Sequence, residues 1–259
     1  MSALSGKWAL VTGATAGLGL VIAESLAAAG ANLVVHDLAA PDVLADSLKS
    51  RFCVDAIGVA ADLSQRAAIE SMMSDLRARL DGIDILVNNA VVRHFAPVED
   101  FSPERWEESL AVNLSAPFHL ARLALPAMKR RGFGRIINMG SIYSTRAVAE
   151  RIDYVTTKTA IVGMTRAIAI ETAQTNITCN ALCPGVLPTP AIQSKIAACA
   201  ADAGHSVEEA TRTYLAARQP SGRFVATEGV GALAVFLCGP AARDITGAAL
   251  PVDGGWSVA

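Results

Sequence analysis

The sequence predicts a doubly wound α/β fold, in which one parallel sheet carries helices on both faces and a small helical lid. Three observations predict it. Short apolar runs alternate with helical stretches along most of the chain, the runs lack polar alternation, and the rhythm breaks once, late in the sequence. A sheet with one wet face would alternate apolar with polar residues, whereas parallel strands covered on both faces read as continuous apolar runs. The length of 259 residues suits one large α/β unit, and 52% hydrophobic against 18% charged residues supplies a sizeable core.

The elements follow in order. WALVTG forms the first strand and a helix starts from about Leu18; NLVVHD is the second strand, followed by a helix near Pro41 to Ser50. AIGVAAD and a helix near Gln65 to Leu80 come next, then IDILVNNA and a helix from Pro103 to about Arg130. RIINMGS precedes a helix from Tyr154 to Ala173, and ITCNALCPG is the sixth strand. Residues 186–222 interrupt this order with Pro188, Pro190 and alanine-rich helical stretches, before ALAVFLCG and AALPVDGGW resume it. Long excursions after the carboxyl end of a strand are where α/β proteins place lids. The expectation is therefore a single domain over 1–259 with a lid at about 186–222; the alternative for that segment is a structural insertion.

Bulk charge excludes several classes of partner. Lysine and arginine number 22 against 24 acidic residues, a net charge of -2, which gives no long-range attraction to nucleic acid or an anionic membrane. The opening MSALSGKWALVTG has no signal-peptide pattern and no apolar run reaches roughly 18 residues, so a cytoplasmic location is expected. Cys53, Cys179, Cys183, Cys199 and Cys238 are an odd set without CxxC spacing, read as reduced and mostly buried. No histidine cluster accompanies Cys179 and Cys183, and no metal is expected. His36 and His119 read as packing or surface residues, and Trp8 and Trp106 as anchors.

TGATAGLG, Thr12 to Gly19, lies between the first strand and its helix. Gly13, Gly17 and Gly19 would supply positive φ, close approach to a pyrophosphate and tight helix-to-sheet packing, while the helix N-terminus offers free N–H groups. The second strand ends on Asp37, about 20 residues further on, where a carboxylate can accept hydrogen bonds from adenosine ribose hydroxyls. Neither Ala16 nor Leu38 provides the cation that a 2′-phosphate needs, so the cofactor expected is NAD. The alternative is Asp37 as a plain turn residue.

Further along, YVTTK sets Tyr154 and Lys158 four residues apart, on one helix face, where the ammonium favours the phenolate. Ser141 precedes them at the end of the fifth strand, placed to hydrogen-bond a substrate oxygen. It lies in MGSIY, not GxSxG, so acyl transfer finds no support. Over its whole length the chain resembles the short-chain dehydrogenase/reductase family, single Rossmann-type domains that move a hydride between a nicotinamide and a secondary alcohol or ketone. The resemblance implies a catalytic tetrad of Asn113, Ser141, Tyr154 and Lys158, with Tyr154 as acid/base and Asn113 holding a water that links Lys158 to solvent. It assigns the cofactor to Gly13, Thr15, Gly17, Leu18, Gly19, Asp37, Asp62, Leu63, Asn89, Tyr154, Lys158, Pro184, Gly185, Leu187 and Thr189. VDGGW at 252 to 256 matches the terminal signature, and a homotetramer through the helices at 103–130 and 154–173 and the C-terminal segment is implied. One departure is NNAV, with Val91 where the family has glycine.

Within the family the chain is most similar to D-3-hydroxybutyrate dehydrogenases, through NNAVVRH, GFGRIIN, AIETAQTNITCNALCPG, RQPSGRF and ITGAALPVDGGW. The resemblance puts Arg93, His94, Ser141, Tyr143, Arg151, Lys195 and Trp256 at the substrate. Glutamine is usual at the positions of Arg93 and Lys195, histidine at Tyr143, lysine at Arg151 and tryptophan at Val186. Three cations in place of one lysine predict an anionic alcohol or ketone, such as a 3-hydroxy acid, a sugar acid, a sulfonated or phosphorylated sugar or a dicarboxylate, and Val186 predicts extra room. The alternatives are solvated surface cations beside a neutral sugar, polyol or cyclic alcohol, and a non-catalytic NAD-sensing module.

Overall fold

The computed structural model describes residues 3–259. Its strands are β1 (Trp8–Thr12), β2 (Asn32–Asp37), β3 (Ala56–Ala60), β4 (Ile85–Asn88), β5 (Gly134–Met139), β6 (Ile177–Pro184) and β7 (Ala249–Val252). They form one sheet in the order β3-β2-β1-β4-β5-β6-β7, every pairing parallel. The order reverses beside β1, which pairs with β2 on one side and β4 on the other. The carboxyl ends of strands at such a switch point leave the crevice where α/β folds bind ligands.

Successive side chains of a strand point to opposite faces, so each apolar run feeds two cores. Ala9 and Val11 of β1 join Leu33, Val35, Ile85 and Val87 on one face, packed by α1 (Gly17–Ala28) and α9 (Thr227–Cys238). Leu10 joins Val34, Leu86 and Ile136 on the other, packed by α3 (Arg66–Leu80) and α5 (Ala116–Arg131). Each fully buried Leu or Ile contributes about 1.5–3 kcal/mol, which is why no strand needs a polar face.

The helix expected from Pro103 to about Arg130 is two helices. α4 (Pro103–Leu110), capped by Ser102, passes into a π-helical turn at Ala111–Ser115 before α5 begins. Pro117 has no N–H to give the Asn113 carbonyl, so a regular i→i−4 ladder fails there and the turn widens. α2 (Asp42–Phe52) and α6 (Ile152–Thr172) stand close to their expected spans.

Between β6 and α9 lie α7 (Pro190–Ala203), capped by the Thr189 hydroxyl, and α8 (Val207–Ala216), opened by a reciprocal cap between Ser206 and Glu209. These two helices occupy the segment where a lid is expected. At the sheet edge, β7 sets Pro251 opposite Cys183, while the neighbouring Val252 carbonyl accepts from Gly185 N–H at 3.0 Å. Among the described residues no helix is long and apolar enough to cross a membrane, and no group of three His, Cys, Asp or Glu could hold a metal ion. Cys179, Cys183 and Cys238 are buried and Cys53 and Cys199 exposed; burial pushes the Cys179 and Cys238 thiols up to about 12.

Candidate active site

The loop after β1 is shaped by backbone rather than side chains. Gly13 and Gly17 take φ of +61° and +56°, and α1 starts at Gly17 with no side-chain cap from Ala16. The first-turn N–H groups are thereby left for an anion. A Cβ on Gly19 would overlap the Gly13 carbonyl oxygen and stand 2.5 Å from Asn89 Nδ2. Asn89 Nδ2 donates to the carbonyls of Thr12 (2.9 Å) and Gly13 (3.0 Å), and Thr12 Oγ1 accepts the N–H groups of Asn89 and Ala90, each at 3.0 Å. The ends of β1 and β4 are stitched together under the loop. This cradle fits a dinucleotide: glycine where a backbone must approach closely, and an uncapped helix terminus for the pyrophosphate.

Gly19→Ala is expected to weaken cofactor binding about tenfold or more and to cost about 1–3 kcal/mol of stability, because the neighbour that must yield is backbone. Fluorescence titration with the reduced cofactor, beside a denaturant melt, checks both.

Asp37 ends β2 with Oδ1 accepting Leu38 N–H at 2.9 Å and Oδ2 accepting the Thr15 hydroxyl. Burial pushes its carboxyl up, but these hydrogen bonds hold it below the usual range, so it is ionised. Leu18 packs against the core, Asp62 is exposed with Oδ1 accepting Ser64 N–H at 2.9 Å, and Leu63 is buried. Pro184 ends β6, and Leu187 is half-buried. Among the described residues, those with positive φ other than glycine are Cys53, Asp81 and Glu150, so Val91 imposes no left-handed backbone on NNAV.

α6 carries Tyr154 and Lys158 one turn apart, Tyr154 being 8% and Lys158 4% exposed. Lys158 Nζ lies 5.6 Å from the Tyr154 ring centroid and donates to the Met139 carbonyl at the end of β5. Ser141 follows that strand; its Oγ accepts Tyr143 N–H at 3.2 Å, and its own N–H donates to Ser144 Oγ at 3.1 Å. Ser144 donates in turn to the Lys158 carbonyl at 2.6 Å, so the serine turn and α6 are locked together. Burial alone would push the Tyr154 phenol up, yet Lys158, Arg93, a hydrogen bond from Ser141 and Arg151 bring it below its ordinary value. Burial also lowers Lys158, an effect that Tyr154 opposes. Asn113, in the π-helical turn, accepts Val92 N–H at 2.9 Å, donates to Val92 C=O at 3.0 Å and reaches Thr157 Oγ1 at 3.5 Å.

Two guanidinium groups stack on the Tyr154 ring, Arg151 with Cζ 4.6 Å and Arg93 with Cζ 5.5 Å from its centroid. Arg151 is also 4.1 Å from the Phe95 ring, and its buried Nε has no hydrogen-bond partner. Neither arginine makes an ion pair with a carboxylate among the described residues. Tyr143 meets Tyr154 edge-on at 6.2 Å and Trp256 at 5.8 Å. The other residues expected at or beside the substrate are placed as follows. His94 is engaged by Glu108 at 3.0 Å, which ties the ring to α4. Lys195 is exposed on α7, whose buried residues are Ile196 and Ala200. Val186 is buried, its N–H donating to Gln219 and its carbonyl accepting Val225 N–H at 2.9 Å. Phe95, Arg218 and Gln219 were not singled out from sequence; only their place in shared motifs could have pointed to them. His36 is buried with Nε2 at 3.0 Å from the Ala61 carbonyl, a packing role.

Comparison with known proteins agrees with this geometry. A family profile described as enoyl-(acyl carrier protein) reductase matches residues 13–257. D-beta-hydroxybutyrate dehydrogenase of Cupriavidus necator is 47% identical over 98% of this chain and 98% of its own length. The protein of the same name from Rhizobium meliloti is 39% identical over 97% of this chain and 98% of its own. The solved L-sorbose reductase of Gluconobacter frateurii, complexed with NADPH and L-sorbose, superposes with a TM-score of 0.93 at 31% identity, covering both chains fully.

Proposed function

The chain belongs to the short-chain dehydrogenase/reductase family, and from that premise we propose that it is an NAD-dependent dehydrogenase of an anionic secondary alcohol. It is an oxidoreductase of alcohol groups that works with a nicotinamide cofactor. When bound, the nicotinamide supplies the hydride acceptor or donor. Tyr154 removes the hydroxyl proton during oxidation and returns it during reduction. Ser141 hydrogen-bonds the same oxygen, Lys158 stabilises the phenolate, and Asn113 fixes the backbone at Val92 beside α6 and holds the water that serves Lys158. Gly13, Thr15, Gly17, Leu18, Gly19, Asp37, Asp62, Leu63, Asn89, Pro184, Gly185, Leu187 and Thr189 would hold the dinucleotide.

The observation that carries the anionic substrate is the pair Arg93 and Arg151, stacked on the reacting tyrosine without carboxylate partners. Guanidinium groups held over aromatic rings lose less freedom on gripping a carboxylate, and charge-assisted hydrogen bonds of this kind are worth about 1.5–3 kcal/mol. Likeness to a sorbose reductase favours a second reading, a neutral sugar or polyol with the cations at the rim. A panel pairing 3-hydroxybutyrate and sugar acids with neutral polyols separates them: Arg151→Gln is expected to lower kcat/KM on the acids about tenfold or more. Preference for neutral alcohols, untouched by the substitution, would favour the second reading.

NAD is favoured because the ionised Asp37 would repel a 2′-phosphate. Asp37→Asn should narrow the preference for NAD over NADP about tenfold, read as the ratio of kcat/KM values. A cytoplasmic location and a homotetramer complete the proposal; the exposed Phe118 on α5 and Ile170 on α6 support contacts through those helices. Light scattering at four times 26.9 kDa is the expected mass.

A further inference from the structure

The turn that ends α8 carries another guanidinium, that of Arg218, beside the C-terminal segment that holds Trp256. The N–H groups of Arg218 and Gln219 both donate to the Leu215 carbonyl, at 2.8 and 2.7 Å. Gln219 is 1% exposed; its Oε1 accepts Val186 N–H and its Nε2 donates to the Arg223 carbonyl. A buried amide satisfied at both ends fixes the backbone beside it. Ser221 N–H then donates to the Gly254 carbonyl at 3.1 Å, and Pro220 lies under Gly255. The next residue is Trp256, which meets Tyr143, which meets Tyr154. Arg218 is thus held by an anchored turn packed on the segment that forms one wall of the site.

The side chain is oriented as firmly as the backbone. Its guanidinium stacks at 4.0 Å on the Tyr214 ring and spends Nη1 on the Tyr214 carbonyl at 3.0 Å. No carboxylate pairs with it among the described residues, and its charge is felt by the Tyr143 phenol, which burial pushes up and Arg218 pulls down. Arg93 and Arg151 thus lie against Tyr154, and Arg218 lies within electrostatic reach of Tyr143, the ring next to it. A singly charged ligand gripped by the first pair leaves Arg218 partly desolvated and unmatched.

We propose that Arg218 is a specificity-determining residue that selects hydroxy acids bearing a second anionic group, the first being held by Arg93 and Arg151. This rests on the anionic reading of the site given above. Two ends of a short chain would be fixed, with the reacting carbon between them.

Calorimetric titration of the NAD-loaded protein tests it without turnover, using butyrate as the single charge and succinate, glutarate and adipate as double charges of increasing span. At least one dicarboxylate is expected to bind about tenfold or more tighter than butyrate. Arg218→Gln should erase that advantage while leaving butyrate within about twofold, and Arg218→Lys should restore part of it. Equal affinity for all four acids in the wild type, or an equal loss on butyrate and dicarboxylate in Arg218→Gln, overturns the proposal. Arg151→Gln reports separately on the parent reading. Weaker binding of all four acids sustains it, whereas unchanged binding of all four overturns both.

Discussion

Tyr154→Phe is expected to lower kcat by about 10²- to 10⁴-fold, the range a positioned acid/base contributes, while leaving affinity for the reduced cofactor within about twofold. The substitution removes one oxygen and keeps the ring. That ring is what Arg93, Arg151 and Tyr143 touch, so the packing around α6 persists and the loss falls on chemistry. Single-turnover rates beside a fluorescence titration separate the two. A non-catalytic NAD-sensing module would show tight binding, no turnover on any alcohol, and no effect of this change.

The second large effect is a displaced pH profile. Tyr154 is buried, which by itself disfavours the phenolate, and Lys158 is the foremost of the groups that overcome this. Lys158→Met removes the charge and keeps much of the stem, so the phenol rises and the base form needed for oxidation is reached only at higher pH. The acid limb of kcat/KM for oxidation should move up by about one unit or more, each unit being 1.36 kcal/mol. Activity near neutrality should fall about 10²-fold or more. Arg93, Arg151 and the Ser141 hydrogen bond remain to limit the shift. An acid limb that stays in place while activity disappears would assign Lys158 a structural part only.

The strands were legible because burial on two faces leaves an unbroken apolar signature. NLVVHD is β2 residue for residue, whereas AIGVAAD runs on to Asp62 although β3 stops at Ala60. The glycine loop and the Tyr154–Lys158 pair were legible because both are local, their partners being set by one turn of backbone. The π-helical turn was not, since five residues barely distinguish its period from that of an α-helix; Pro117 was the available sign. The exposure of Lys195 on α7 follows from the same local periodicity, which buries Ile196 and Ala200. Arg218 reaches its neighbours through Gln219, Gly254 and Trp256, contacts between distant parts of the chain that no local pattern encodes.

Pro251 has a consequence for how copies of the chain can meet. Because Val252 turns its carbonyl toward β6, the position before it faces the open edge of the sheet. A proline there costs the ladder nothing and leaves the edge one donor short. An extended segment from another molecule would find a carbonyl where it needs a matched pair, so growth of one sheet into the next is interrupted at its first step. At high concentration this edge resists fibrillar stacking, and encounters between copies are turned toward contacts made by side chains.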